Sequence, residues 1–147
     1  MGAASYATSN SAAVGVNAYA TNKGTSVGNN TQSANGVAIG YNATAGDFYK
    51  NLPGELFSSY SGTAIGNNAF ARGGVAVGAS ASAEAYGVAL GDRTYVAWRG
   101  SALGDNASVL ANGGVALGPD AVADTAAGKI GFVATAAGQP ATEMELA

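Results

Sequence analysis

Along most of this chain a branched aliphatic residue is followed at once by Gly, and the pair returns at a near-constant interval. The pairs are Val14-Gly15, Val27-Gly28, Ile39-Gly40, Ile65-Gly66, Val77-Gly78, Leu90-Gly91, Leu103-Gly104 and Leu117-Gly118. A further pair, Ile130-Gly131, falls in register within degraded surroundings. Successive glycines lie 13, 12, 26, 12, 13, 13, 14 and 13 residues apart. Helical repeat units need upwards of about 30 residues, so they are excluded. The interval fits one turn of a parallel β-solenoid made of two short strands and two tight turns.

Aligned on the motif Gly, the first strand of most rungs reads Gly, Val or Thr, Ala, then Ile, Leu or Val, with Ser26 in place of Ala and Ser101 in place of Val or Thr as variants. Alternate side chains of a strand point to opposite faces. Branched aliphatics therefore share one face and small residues the other. The bulky face is expected inside, which makes Val14, Val27, Ile39, Ile65, Val77, Leu90, Leu103 and Leu117 the roll core. Ala38, Ala64, Ala76, Ala89, Ala102 and Ala116 are then expected in close contact with neighbouring subunits.

Two residues beyond the Gly stands Asn17, Asn30, Asn42, Asn68 or Asn106, with Ser80, Arg93 and Asp120 as variants. Gly and Asn adopt a left-handed backbone at least cost, so this is the first turn. A second strand follows with small residues at alternate sites, such as Ala43 and Ala45 or Ala81 and Ala83. Between them lies a position that ranges from Tyr19 and Phe70 to Gln32 and Ser82, as a solvent-facing site would. Parallel strands stack about 4.8 Å apart, so nine rungs would make a rod of roughly 40 Å. The pattern alone leaves the hand of the coil undetermined.

The period defines the organisation. Residues 1–10 are expected to be an N-terminal lead-in, 11–123 the roll, and 124–147 a degraded last rung and tail. The 26-residue gap contains an insertion at 46–61 that gathers Phe48, Tyr49, Phe57 and Tyr60. The opening Met1-Gly2-Ala3 lacks a basic start and an apolar stretch, and reads as the start of an excised fragment.

Of the hydrophobic residues, which make up 48% of the chain, 34 are Ala, so each rung has few large side chains with which to offset the entropy of ordering its backbone. Burial against other subunits would supply the rest, and an obligate oligomer is expected. There is no Cys and no His, which removes thiolate metal sites and the commonest general base. Net charge is −3 with 10% charged residues, so no basic footprint for nucleic acid exists. No cofactor is expected. Hexapeptide acyltransferases share runs such as Leu103-Gly104-Asp105-Asn106-Ala107-Ser108, but use about three hexads per turn and typically a His base. Calcium-binding rolls need an Asp-bearing nonapeptide repeat. Asp92, Asp105 and Asp120 stand one rung apart and suit tight turns. An enzyme is not expected.

Runs such as Asn35-Gly36-Val37-Ala38-Ile39-Gly40, Gly62-Thr63-Ala64-Ile65-Gly66 and Tyr86-Gly87-Val88-Ala89-Leu90-Gly91 resemble the head repeats of YadA-like trimeric autotransporter adhesins. The resemblance spans about residues 11–123. It implies an all-β, left-handed parallel β-roll, homotrimeric, on a bacterial cell surface, joined to the outer membrane only through a C-terminal anchor missing from this chain. It also implies attachment to host extracellular matrix proteins or host cells, and autoagglutination. A structural spacer that binds nothing itself is the alternative. Lys129 to Val133 echoes the neck that follows such heads. Candidate ligand-binding residues are Phe48, Tyr49, Phe57 and Tyr60 of the insertion, with Tyr95, Trp98 and Arg99 between two rungs. Arg72, Arg93 and Arg99 are expected to pair with Asp92 or Asp105 across chains.

Overall fold

The computed structural model describes residues 2–8, 10–46 and 60–125. Seventeen short strands, all parallel to their neighbours, form two sheets among the described residues. The odd-numbered strands, from β1 (Tyr6–Ala7) to β17 (Val122–Ala123), make a nine-stranded sheet. The even-numbered strands, from β2 (Ala12–Val14) to β16 (Val115–Leu117), make an eight-stranded one. Each strand pairs with the strand two places later, as one winding of a solenoid stacks on the next. The parallel β-solenoid expected from the period is therefore present. The 26-residue gap adds no rung: Ile39 pairs directly with Ile65, and Ala45 with Ala71.

Within the stretch expected as a lead-in, two residues already form a strand of the roll. Tyr6 and Ala7 pair with Tyr19 and Ala20. The ladder also continues through the turns, where Gly66 N–H donates to Ile39 O at 2.8 Å and Asn68 N–H to Tyr41 O at 2.8 Å. Almost every residue of a rung is thus tied to the rung beside it.

The motif Gly answers two demands at once. Gly15 through Gly104 in this column have φ between 131° and 139°, a region open essentially to Gly alone. A Cβ on Gly91 would also sit 2.5 Å from the carbonyl oxygen of Gly104. The next turn position is left-handed in every rung, from Asn17 (φ 54°) to Asp120 (φ 57°). Asn fits it twice over, because its amide bridges rungs: Asn42 Nδ2 donates to Asn68 Oδ1 at 2.9 Å, and Asn17 Nδ2 to Asn30 Oδ1 at 3.1 Å.

The faces are the reverse of the expected ones. Ala38, Ala64, Ala76 and Ala89 are wholly buried, Ala102 and Ala116 nearly so, and they line the space between the sheets. None of them can touch a neighbouring subunit. Val14, Val27, Ile39, Ile65, Val77, Leu90, Leu103 and Leu117 instead point outward; Leu103 is 52% exposed and Leu117 68%. The physical reason is the narrowness of the coil. Two tight turns per rung hold the sheets so close that opposed methyl groups already fill the gap. Among the described residues the two largest fully buried side chains, Val96 and Val109, each lie against a Gly. A Cβ added to Gly100 would lie 2.5 Å from Cγ1 of Val109, and one on Gly87 would lie 2.8 Å from Cγ1 of Val96. The buried hydroxyls are bonded: Ser26 Oγ donates to Tyr19 O at 2.7 Å and lies 2.8 Å from Ser33 Oγ, and Thr94 Oγ1 donates to Gly91 O at 2.8 Å.

Candidate interaction surfaces

The outer face of the eight-stranded sheet carries two continuous ladders. One runs through Val14, Val27, Ile39, Ile65, Val77, Leu90, Leu103 and Leu117, each the register partner of the next. The other runs through Ala12, Thr25, Val37, Thr63, Val75, Val88, Ser101 and Val115. No charged residue stands in either column. Eight strands at about 4.8 Å give a face roughly 34 Å long, and two side-chain columns make it roughly 10 Å wide. One column is wholly aliphatic and the other mixes Val with Ala, Thr and Ser, so the face is uncharged and largely apolar, an extent unusual on a monomer.

The opposite sheet presents a different outer column. Tyr6, Tyr19, Gln32, Thr44, Phe70, Ser82, Tyr95, Ser108 and Val122 follow one another in register. These are the positions expected to face solvent, and they do; Tyr19 and Tyr95 are each 40% exposed. Tyr6 and Tyr19 stack with ring centroids 5.2 Å apart and planes 10° from parallel.

A third surface lies at the corner where the nine-stranded sheet turns back toward the other. The Tyr60 side chain rests over Gly73, where a Cβ would lie 2.8 Å from Tyr60 Cβ and 3.0 Å from ring atom Cδ1. Tyr60 meets Tyr86 edge-on, with centroids 5.9 Å apart and planes at 86°. The Arg99 guanidinium sits 5.9 Å from the centroid of the Tyr86 ring, within cation–π range. Trp98 is 46% exposed beside it. Of the seven candidate ligand residues, the fold brings Tyr60, Trp98 and Arg99 to this corner. It sets Tyr95 on the outer sheet column instead. Phe48, Tyr49 and Phe57 lie outside the described residues, as do Ile130-Gly131 and the neck-like stretch after Lys129. Tyr86 was not among the expected residues. Its signal is positional: it precedes a strand-opening Gly exactly as Arg99 does, one rung earlier.

The arginines find partners within their own chain. Arg93 Nη2 donates to both oxygens of Asp105, at 2.9 and 2.7 Å, and this hydrogen bond raises the guanidinium's pKa further above its ordinary value. Arg72 Nη1 lies 3.7 Å from Glu84 Oε2. Asp92 accepts the Ala79 N–H at 2.8 Å, and Asp120 the Asn106 amide at 2.7 Å. The turn carboxylates are thus engaged in the ladder, and among the described residues no cluster of three or more acidic side chains is placed to hold a metal ion. No helix among the described residues is long and apolar enough to cross a membrane. No family model matches the chain, and no curated protein or solved structure is significantly similar to it.

Proposed function

We propose that this roll is a non-enzymatic attachment domain: the head of a trimeric bacterial surface adhesin that binds host extracellular matrix or host cells. The observation that carries the proposal is the uncharged aliphatic face of the eight-stranded sheet, with Leu103 at 52% and Leu117 at 68% exposure in a chain whose own interior is alanine. Three copies that turn these faces toward a common axis would bury the two ladders and leave the nine-stranded sheets and their corners outward. The interface moves from the alanine column to the aliphatic one, while the expected number of chains stays at three. The repeat's resemblance to YadA-like heads supports that number and the cell-surface setting.

The mode of action would be multivalent. A stiff rod that offers the same outer surface three times raises avidity without a deep pocket. The test has two parts. Sedimentation should find a trimer that dissociates when the aliphatic face is charged. The intact trimer should adhere to at least one of immobilised collagen, laminin, fibronectin or host cells. A trimer that adheres to none of them would instead be the spacer.

A further inference from the structure

Among the corner residues, two side chains stand where the backbone does not favour them. The residue before the strand-opening Gly is left-handed in several rungs: Lys23 (φ 67°), Asn35 (φ 58°), Gly113 (φ 74°), Tyr86 (φ 63°) and Arg99 (φ 57°). Asn and Gly adopt this conformation readily, whereas a bulky aromatic does so rarely. Strained positions persist where the surrounding structure enforces them, and they gather at ligand clamps. Here the strain places Tyr86 and Arg99 one rung apart, ring against guanidinium, and exposes Tyr86 by 60%.

Arg99 is also chemically distinct from its neighbours. Arg93 is forked onto Asp105, and Arg72 faces Glu84. Among the described residues no carboxylate pairs with Arg99; its recorded side-chain contact is the Tyr86 ring. An exposed guanidinium held against an aromatic face keeps its planar fork free for a planar anion. Tyr60 extends the aromatic surface by its edge-on contact with Tyr86, and Trp98 is exposed in the same turn as Arg99. The corner offers no open strand to pair with a peptide backbone, because β13 (Tyr95–Val96), which leads into it, is already paired on both sides. A ligand here must be held by its faces and its charge, as a pyranose ring bearing a carboxylate can be.

We propose that the corner formed by Tyr60, Tyr86, Trp98 and Arg99 binds carboxylate-bearing sugars, the ring stacking on the aromatics and the carboxylate taking the Arg99 fork. This deepens the attachment reading above and rests on it. The probes are sialyllactose and an oligogalacturonate displayed multivalently on a sensor surface, beside their carboxyl-reduced forms and polyglutamate. The 147-residue chain should bind at least one acidic sugar and lose it on carboxyl reduction. Arg99→Asn and Tyr86→Asn should each weaken that binding roughly 10-fold or more, the scale of a charge-assisted hydrogen bond. Arg99→Lys should fall between, since it keeps the charge without the fork.

The same Asn variants should melt no lower than the parent, since Asn suits a left-handed site, and this separates lost binding from lost folding. Absence of binding to both acidic sugars would overturn the proposal. So would equal binding to polyglutamate, which would make the ligand an acidic protein, and so would unchanged binding by Arg99→Asn. Adhesion of the trimer to cells stripped of acidic sugars, at undiminished strength, would sink the sugar assignment alone and leave the attachment reading standing.

Discussion

Ala102 and Leu103 are neighbours on β14 (Ser101–Leu103), yet substituting them should break different things. Ala102 is 1% exposed, flanked in its column by Ala89 and Ala116. Ala102→Leu adds three carbons to a layer one methyl thick. Overpacking typically costs about 1–3 kcal/mol, and a site without slack belongs at the upper end or beyond. Leu103 is 52% exposed, so Leu103→Asp leaves the isolated roll almost untouched; surface changes usually stay within about 0.5 kcal/mol. In the trimer, however, the buried part of each Leu is worth roughly 1–2 kcal/mol. Three subunits would lose that together and would confront three carboxylates in a dry interface. Urea denaturation followed by far-UV circular dichroism, together with sedimentation velocity, reads both effects. Ala102→Leu should lower the denaturation midpoint sharply or prevent folding. Leu103→Asp should give β-rich monomers whose melting no longer depends on concentration. The reverse ranking, with Ala102→Leu folded and Leu103→Asp unfolded as a chain, would refute the assignment of faces.

Other substitutions probe the turns and the interior. Gly91→Ala should destabilise by at least about 1–3 kcal/mol from backbone strain alone, before the clash with Gly104 O, whereas Gly113→Asn, at φ 74° with open space around it, should leave the thermal midpoint near its original value. Ser26→Ala should cost about 1–3 kcal/mol, because the Ser33 hydroxyl loses its partner inside the roll, whereas Ser33→Ala should cost less, because Ser26 Oγ keeps its bond to Tyr19 O. The double alanine variant should recover most of that loss in a denaturation cycle, matching the all-Ala layers elsewhere. Asp105→Asn should leave thermal melting unchanged at any salt concentration, since the Arg93–Asp105 pair is fully in solvent; a clear loss of stability would mean that the pair is covered in the assembly.

The rung period, both strands and both turns were legible in the sequence, because each depends on residues whose chemistry is local. Gly at φ near 135° and Asn at φ near 55° leave a direct trace at fixed spacing. Strand alternation likewise separated the residues into two faces correctly. What it could not say was which face looks inward. Placing bulky residues inside is sound when sheets pack about 10 Å apart. It fails here because the sheet separation is set by the turns, and the clue was the composition of the second strand. Ala43, Ala69 and Ala81 share one buried cluster with Ala38, Ala64 and Ala76, and small residues contributed from both sides of the roll specify a thin interior. The corner was half legible. Trp98 and Arg99 drew notice as residue types, but Tyr86 entered only as the start of a repeat motif. Its proximity to Arg99 follows from the 13-residue period between Gly78, Gly91 and Gly104, and its meeting with Tyr60 does not follow from any period.

The inversion of faces changes what holds such a molecule together. With bulky residues inside, folding of a rung and association of chains would draw on separate side chains only by accident. With alanine inside, the roll's own burial is small and uniform, and its order comes from the ladder of backbone bonds and close methyl packing along its length. The large aliphatics are then left free for the contact between copies proposed above. A chain built this way can lengthen by whole rungs without redesigning its core, since every added turn brings its own strip of interface. It can also vary the corner and the outer sheet without disturbing either. The insertion after Gly46 and the Tyr86–Arg99 corner both fall where a rung turns from the nine-stranded sheet toward the next first strand. That corner accommodates both extra and bulky residues, which suits it to recognition on a scaffold whose interior and motif-Gly turns are tightly constrained.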